Sequence, residues 1–240
     1  EASAACGIYH PQEGTLNITG GTINVTDGVG VLMRGGKLAM TGGEINATGD
    51  ASKTGTVGDS RQVVSTSGVV LDRDSNYPAV ATAEVYIDKE AKVSGAKAAV
   101  ELINENNVAD AKAAIKLKGG TYSSDISALL DENSITTKNE ADGTYSITNY
   151  CAKVGDQKYF TLKEAFEAAT DGQTVTVIND TELGKNGVEV AEDKALTLDL
   201  NGCSVKAANQ GGENFLVYGK LTLQDSKEGS TAKIYSESPY

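Results

Sequence analysis

The chain has 240 residues and a net charge of −12, with 27 glycines, 3 phenylalanines and no tryptophan. A core here must be built mostly from Val, Ile, Leu and Ala, which argues against a helical bundle with long Leu and aromatic stripes and against disorder. The acidity disfavours nucleic acid and anionic membrane surfaces as partners, and no apolar run is long enough to span a bilayer, so no membrane insertion is expected.

Along the chain, short alternating runs are broken by Gly or Asn. Ile8-Tyr9 comes first. Gly14-Thr-Leu-Asn-Ile-Thr-Gly-Gly-Thr-Ile-Asn-Val-Thr26 follows and aligns without gaps on Gly36-Lys-Leu-Ala-Met-Thr-Gly-Gly-Glu-Ile-Asn-Ala-Thr48, at an offset of 22 residues and with 8 of 13 positions identical. A period in the range of about 20 to 50 residues marks a repeat architecture. Between and after these lie Val29 to Met33, Val69 to Leu71, Val85-Tyr-Ile87, Lys92 to Ser94, Ala99 to Ile103 and Ile115-Lys-Leu117. Alternation predicts strands with one buried face, and the Gly-Gly pairs predict corners between them. Gly49 to Ser67, rich in Gly, Ser, Thr and Asp, reads as the longest loop.

Further on, Asp125 to Glu132 places Ile126, Leu129 and Leu130 on one helical face and predicts a short helix. Thr161 and Glu164 have the spacing of a capping box, and Leu162, Ala165, Phe166 and Ala169 share a face, so a helix is expected over 161–170. Thr174 to Ile178 reads as a buried strand. Leu196-Thr-Leu-Asp-Leu, Phe215 to Tyr218, Leu221-Thr-Leu223 and Lys233 to Tyr235 repeat the earlier rhythm. Three strands per repeat, stacked repeat on repeat, predict an all-β fold, a right-handed parallel β-helix (three-sheet solenoid) with one or two short capping helices. Its expected parts are β-helix turns over 1–124, a cap and connector over 125–159, and a capping helix with the first turns of the next unit over 160–240.

Several of these segments together resemble a known group. They are Gly155-Asp-Gln-Lys-Tyr-Phe-Thr-Leu-Lys-Glu-Ala-Phe166, Asp171-Gly-Gln-Thr-Val-Thr-Val177, Leu196-Thr-Leu-Asp-Leu-Asn-Gly202, Gly219-Lys-Leu-Thr-Leu-Gln-Asp-Ser226, Asn17-Ile-Thr-Gly-Gly21 and Lys118-Gly-Gly-Thr-Tyr-Ser-Ser124. The chain resembles the pectin-lyase-like β-helix domains of large surface and adhesin-like proteins from gut Firmicutes. In that family the helix and the Leu-Asp-Leu-Asn-Gly strand come first, whereas here they occupy 151–240. The frame is therefore permuted, as if cut in the middle of a β-helix. The resemblance implies an extracellular or cell-surface bacterial protein.

A cut β-helix would offer unpaired strand edges over an apolar section, which are templates for pairing. The expected partner is the chain itself, as a head-to-tail polymer or a tandem repeat. The expected joint has Lys233, Ile234, Tyr235, Pro239 and Tyr240 on one side and Cys6, Gly7, Ile8 and Tyr9 on the other. An adhesin that binds a host glycan or protein is the alternative.

Little points to an enzyme. Asp72-Arg-Asp74 is the compact carboxylate cluster, and it reads better as a polar corner than as the paired acids of a polysaccharide lyase or glycoside hydrolase. His10, the single histidine, reads as a solvated corner residue. Cys6, Cys151 and Cys203 have no metal-ligand spacing, so no metal or cofactor is expected. Asp199 and Asp225 read as turn residues. Asn17, Asn24, Asn46 and Asn179 head formal glycosylation sequons and read as corner residues. Thr174/Thr176 and Thr136-Thr137 look scattered rather than aligned from turn to turn, which argues against an ice-binding array.

Overall fold

A computed structural model describes residues 3–57, 62–74, 82–185, 187–207 and 213–236. It is mostly β, with one α-helix among the described residues. The chain divides into two compact units, Glu1–Thr148 and Asn149–Tyr240. A separate apolar core fills each.

The first unit begins with β1 (Ala5–His10), β2 (Thr15–Thr26), β3 (Gly28–Met33) and β4 (Lys37–Thr48). The two aligned glycine-rich segments are β2 and β4. They lie side by side in parallel, with Leu16 on Leu38, Ile23 on Ile45 and Asn24 on Asn46, so the 22-residue offset is one rung. The Gly-Gly pairs do not separate two strands, as expected from the sequence. Each lies inside one 12-residue strand, at a register shift between Ile18 and Thr22. Gly21 and Gly43 take φ of 84° and 80° there, values that L side chains disfavour.

Next come β5 (Thr54–Val57), β6 (Gln62–Ser65) and β7 (Ser67–Asp72). The expected loop over Gly49 to Ser67 instead holds β5 and β6 as an antiparallel pair. Its Val57 and Val64 pack on Val29, Leu32 and Val70. This covers the outer face of β3 and β7, which is why every residue of those two strands is buried. Strands covered on both faces read as continuous apolar runs rather than as alternation.

The rest of the unit comprises β8 (Glu84–Ile87), β9 (Lys92–Gly95), β10 (Ala98–Ile103), β11 (Ile115–Leu117), β12 (Thr121–Tyr122), β13 (Ser134–Lys138) and β14 (Tyr145–Asn149). One sheet has the order β1-β3-β7-β10, all parallel. A second has the order β11-β8-β4-β9-β12-β14-β13, with β2 also on β4. Like side chains stack in columns. Ile8, Val31, Val69 and Val100 form one. Leu16, Leu38, Val85 and Ile115 form another. The second sheet is mixed rather than wholly parallel, since β14 runs antiparallel to β12. No α-helix forms over Asp125 to Glu132. A three-residue 3-10 turn, Ser127–Leu129, takes its place. The Asp125 carboxylate accepts the Ser127 N–H and Asp131 accepts the Asn133 N–H. Such local side-chain bonds compete with helix propagation. Ile126 and Leu130 are nevertheless buried in the core.

The second unit holds β15 (Ala152–Val154), β16 (Gln157–Tyr159), α1 (Leu162–Ala168), β17 (Thr174–Val177), β18 (Thr181–Glu182), β19 (Val188–Val190), β20 (Ala195–Asp199), β21 (Val205–Lys206), β22 (Phe215–Val217), β23 (Lys220–Gln224) and β24 (Ile234–Tyr235). The capping box forms as the sequence predicts. The Glu164 N–H donates to Thr161 Oγ1 at 3.2 Å and the Thr161 N–H to Glu164 Oε2 at 3.0 Å. The helix buries Leu162, Ala165 and Phe166, and Phe166 meets Phe215 edge-on at 6.3 Å. The main sheet has the order β16-β15-β17-β20-β23, antiparallel at β16 and β15 and parallel from β17 onward. Smaller sheets, β18-β21-β24 and β19-β22, are parallel.

Candidate functional site

The features that set each unit apart are its uncovered strand edges. Among the described residues of the first unit, β1 is the edge of its sheet and pairs with β3 alone, and β2 pairs with β4 alone. In the second, β22, β23 and β24 are each the last strand of their sheets among the described residues. An edge strand leaves one row of backbone N–H and C=O groups without a ladder partner.

The side chains at these edges tell the same story. Leu198 is fully buried, while Leu223, one rung further in the same column, is 55% exposed. Val190 is fully buried, while Val217 beside it is 42% exposed. Tyr218, which follows, is 61% exposed. In the first unit, Leu38 and Ile45 are fully buried, whereas Leu16 and Ile23, one rung outward, are only partly so. The outermost rungs therefore carry core residues with one neighbour missing.

The residues expected at a joint lie on these edges where the structure describes them. Cys6, Gly7, Ile8 and Tyr9 are on β1. Burial pushes the Cys6 thiol up to about 11, with the Leu32 backbone acting in the opposite direction, so it is a poor nucleophile at neutral pH. The Tyr9 hydroxyl accepts a bond from Arg34 Nη1 at 3.3 Å. Ile234 and Tyr235 form β24, and Lys233 precedes it with its ammonium 4.7 Å above the Tyr235 ring. Pro239 and Tyr240 lie outside the described residues. Sequence reasoning missed Leu223, Val217 and Tyr218. Their motifs match those of inner rungs, and a motif does not say which rung is outermost.

The Asp72-Arg-Asp74 segment is not assembled as a catalytic group. Asp72 is fully buried and Arg34 Nε donates to its Oδ2 at 2.8 Å. Arg73, also buried, donates from Nη2 to Asp110 at 2.8 Å and from Nη1 to the Ala83 carbonyl at 3.0 Å. Asp74 accepts the backbone N–H groups of Glu105 and Asn106. Asp74 alone of the three lines a 420 Å³ cavity, together with Lys97, Glu101 and Glu105. Glu101 accepts from Ser65 and Ser67 at 2.7 Å each and from Lys97 at 2.6 Å. Burial raises its pKa, but the lysine and the two hydroxyls outweigh this and hold it below the ordinary glutamate value.

Other sequence expectations need correction. His10 is not a solvated corner residue; its partly buried ring bonds the Gly35 carbonyl at 3.0 Å through Nδ1. Threonines do recur at one place, since Thr174, Thr197 and Thr222 form a single column. The neighbouring column is Thr176, Asp199 and Gln224, so no Thr-x-Thr array results. Asn24 and Asn46 sit within strands rather than at corners and bond each other at 3.1 Å. Asp199 and Asp225 do hold turns, accepting the N–H groups of Asn201 and Ser226 and of Gly202 and Lys227.

Among the described residues no group of His, Cys, Asp and Glu is arranged to hold a metal ion, and no helix is long and apolar enough to cross a membrane. The comparisons with protein-family models, curated proteins and solved structures returned no match.

Proposed function

We propose that the chain is a structural, self-associating unit of an extracellular bacterial fibre or stalk, built on a right-handed parallel β-helix and stacked head to tail. The observation that carries this reading is the exposure of core residues on the outermost rungs, Leu223 and Val217 above all. The resemblance to pectin-lyase-like surface domains supports the β-helix and the extracellular setting. Support comes from the second unit, where the parallel ladders β17-β20-β23, β18-β21-β24 and β19-β22 lie in three separate sheets; in the first unit β8 and β9 share one sheet through β4.

The partner is a second copy because the two edges are of one kind. Lys220-Leu-Thr-Leu-Gln on β23 and Thr15-Leu-Asn-Ile-Thr on β2 are versions of one motif. Inside each unit that motif already stacks on itself, as β2 on β4 and β20 on β23. A rung of the first unit laid on the last rung of the second would continue the Leu columns and pair the free backbone groups by strand addition. The contact joins unlike surfaces, so its repetition gives an open filament unless a rotation closes a ring.

Light scattering of the purified chain over a concentration series, with negative-stain microscopy, tests the proposal. Oligomers that grow with concentration are expected. Leu223→Lys and Leu223→Pro should each shift the distribution to monomer, by charging the apolar column or by removing an N–H on the free side of β23, since Lys220 and Gln224 turn theirs toward β20. A strictly monomeric wild-type chain at the highest soluble concentration overturns the reading.

A further inference from the structure

A second surface lies in the first unit, apart from the association edges. Beside β11 runs a groove of about 570 Å³. Ile115 and Lys116 point to opposite faces of β11 and both line it, so it follows the edge of the strand. Its far wall is the 3-10 turn, through Leu129 and Leu130. We propose that this groove docks an extended, acidic peptide segment of a partner protein by strand addition to β11.

The backbone supplies the first argument. Among the described residues β11 ends its sheet and pairs only with β8. In a parallel ladder, alternate residues turn their N–H and C=O groups to alternate sides. The Lys118 N–H donates to the Ile87 carbonyl, so Lys116 turns the same way and Ile115 and Leu117 turn to the free side. The Ile115 N–H is spent on the Lys112 carbonyl. The Ile115 C=O and both groups of Leu117 remain for an added strand, which would read the groove through alternate side chains.

Side chains supply the second argument. Ile115, Leu129 and Leu130 give the groove an apolar floor, suited to every second residue of a strand. Lys112 and Lys116 stand exposed on its rim, and neither has an ion pair among the described residues. Lys118 is held by Asp131 at 2.7 Å, and Glu132 also lines the groove, so its three lysines and two carboxylates leave a net positive lining. In a chain of net charge −12 two free lysines on one apolar groove select a carboxylate-bearing partner. Screening over about 8 Å at physiological salt leaves these near charges in control of more distant ones.

The test is fluorescence anisotropy with a fluorescein-labelled hexapeptide of alternating Glu and Val, titrated with the full chain. Saturable binding is expected. The double variant Lys112→Glu, Lys116→Glu should weaken it by about tenfold or more. Leu129→Glu, in the floor, should do the same with the circular dichroism spectrum unchanged. A peptide with proline at one central position, lacking a ladder N–H, should also lose about tenfold. Leu223→Lys, on the association edge, should leave binding intact. No binding up to about 1 mM, or binding indifferent to the lysine reversal, overturns the proposal. Undiminished binding of the proline peptide overturns strand addition and leaves a site for amphipathic anions of another kind.

Discussion

Gly7, Gly30 and Gly68 occupy one column across β1, β3 and β7, and Ala99 on β10 continues it. None has a left-handed backbone; what they share is a lack of room. A Cβ on Gly30 would lie 2.2 Å from Ile45 Cγ2 and 2.5 Å from the Gly68 carbonyl oxygen. On Gly68 it would lie 2.6 Å from Val93 Cγ1 and from the Ala99 carbonyl oxygen. The branched residue of a neighbouring sheet fills the space that the side chain would need. The sequence reading treats glycines as corners between strands; Gly21 and Gly43 do turn the backbone, but within one strand each, and this column does not turn it at all, because a missing side chain and a turned backbone look alike in one-letter code. Gly30→Ala should therefore destabilise the first unit by about 1–3 kcal/mol through overpacking. Gly20→Ala, with open space at its Cβ and no positive φ, should stay within about 0.5 kcal/mol. Urea denaturation of both variants checks this; equal losses would show that packing in the column is not what demands glycine.

At the scale of elements, the clearest departure from sequence expectation is the antiparallel β5–β6 pair. Its composition reads as loop, yet Val57 and Val64 complete a second apolar layer. The sign of that layer lay elsewhere in the sequence, in the unbroken apolar runs that become β3 and β7. The capping box of α1 was legible because it is local, with donor and acceptor three residues apart. The bond network joining β6, β7 and β10 was not, because Glu101 lies 36 and 34 residues from Ser65 and Ser67 and meets them only through rung register. This network makes a pH prediction. Glu101 has a folded value below its ordinary one, so its contribution is complete above the ordinary glutamate value of 4.5 and is lost as pH falls through the folded value. The stability gap between wild type and Glu101→Gln should be widest near neutrality and should close as pH falls below 4.5 and through the folded value. Denaturation midpoints measured at pH 7 and pH 3 decide the matter. A gap of constant size would mean that the carboxylate charge contributes nothing.

For the whole molecule, the legible part was the repeat. Columns such as Leu16, Leu38, Val85 and Ile115 follow directly from segments that align by eye. Cys6 to Tyr9 and Ile234-Tyr235, singled out in the sequence, lie on outer strands, while Leu223 was hidden, because an outer rung carries the same Leu-Thr-Leu as an inner one. Charge then separates two ways in which copies could join. A joint made of apolar columns and backbone pairs gains little from salt bridges, while each copy brings a net charge of −12. Stacking such units works against their mutual repulsion, and salt relieves that repulsion by shortening the screening length from about 30 Å at 0.01 M to about 3 Å at 1 M. Association measured by light scattering should therefore strengthen as salt rises across that range, and also as pH is lowered toward the pI of about 4.6. Filaments that dissolve as salt is added would place the binding energy in charge pairs between copies, and the exposed Leu223 and Val217 columns would then not be the joint.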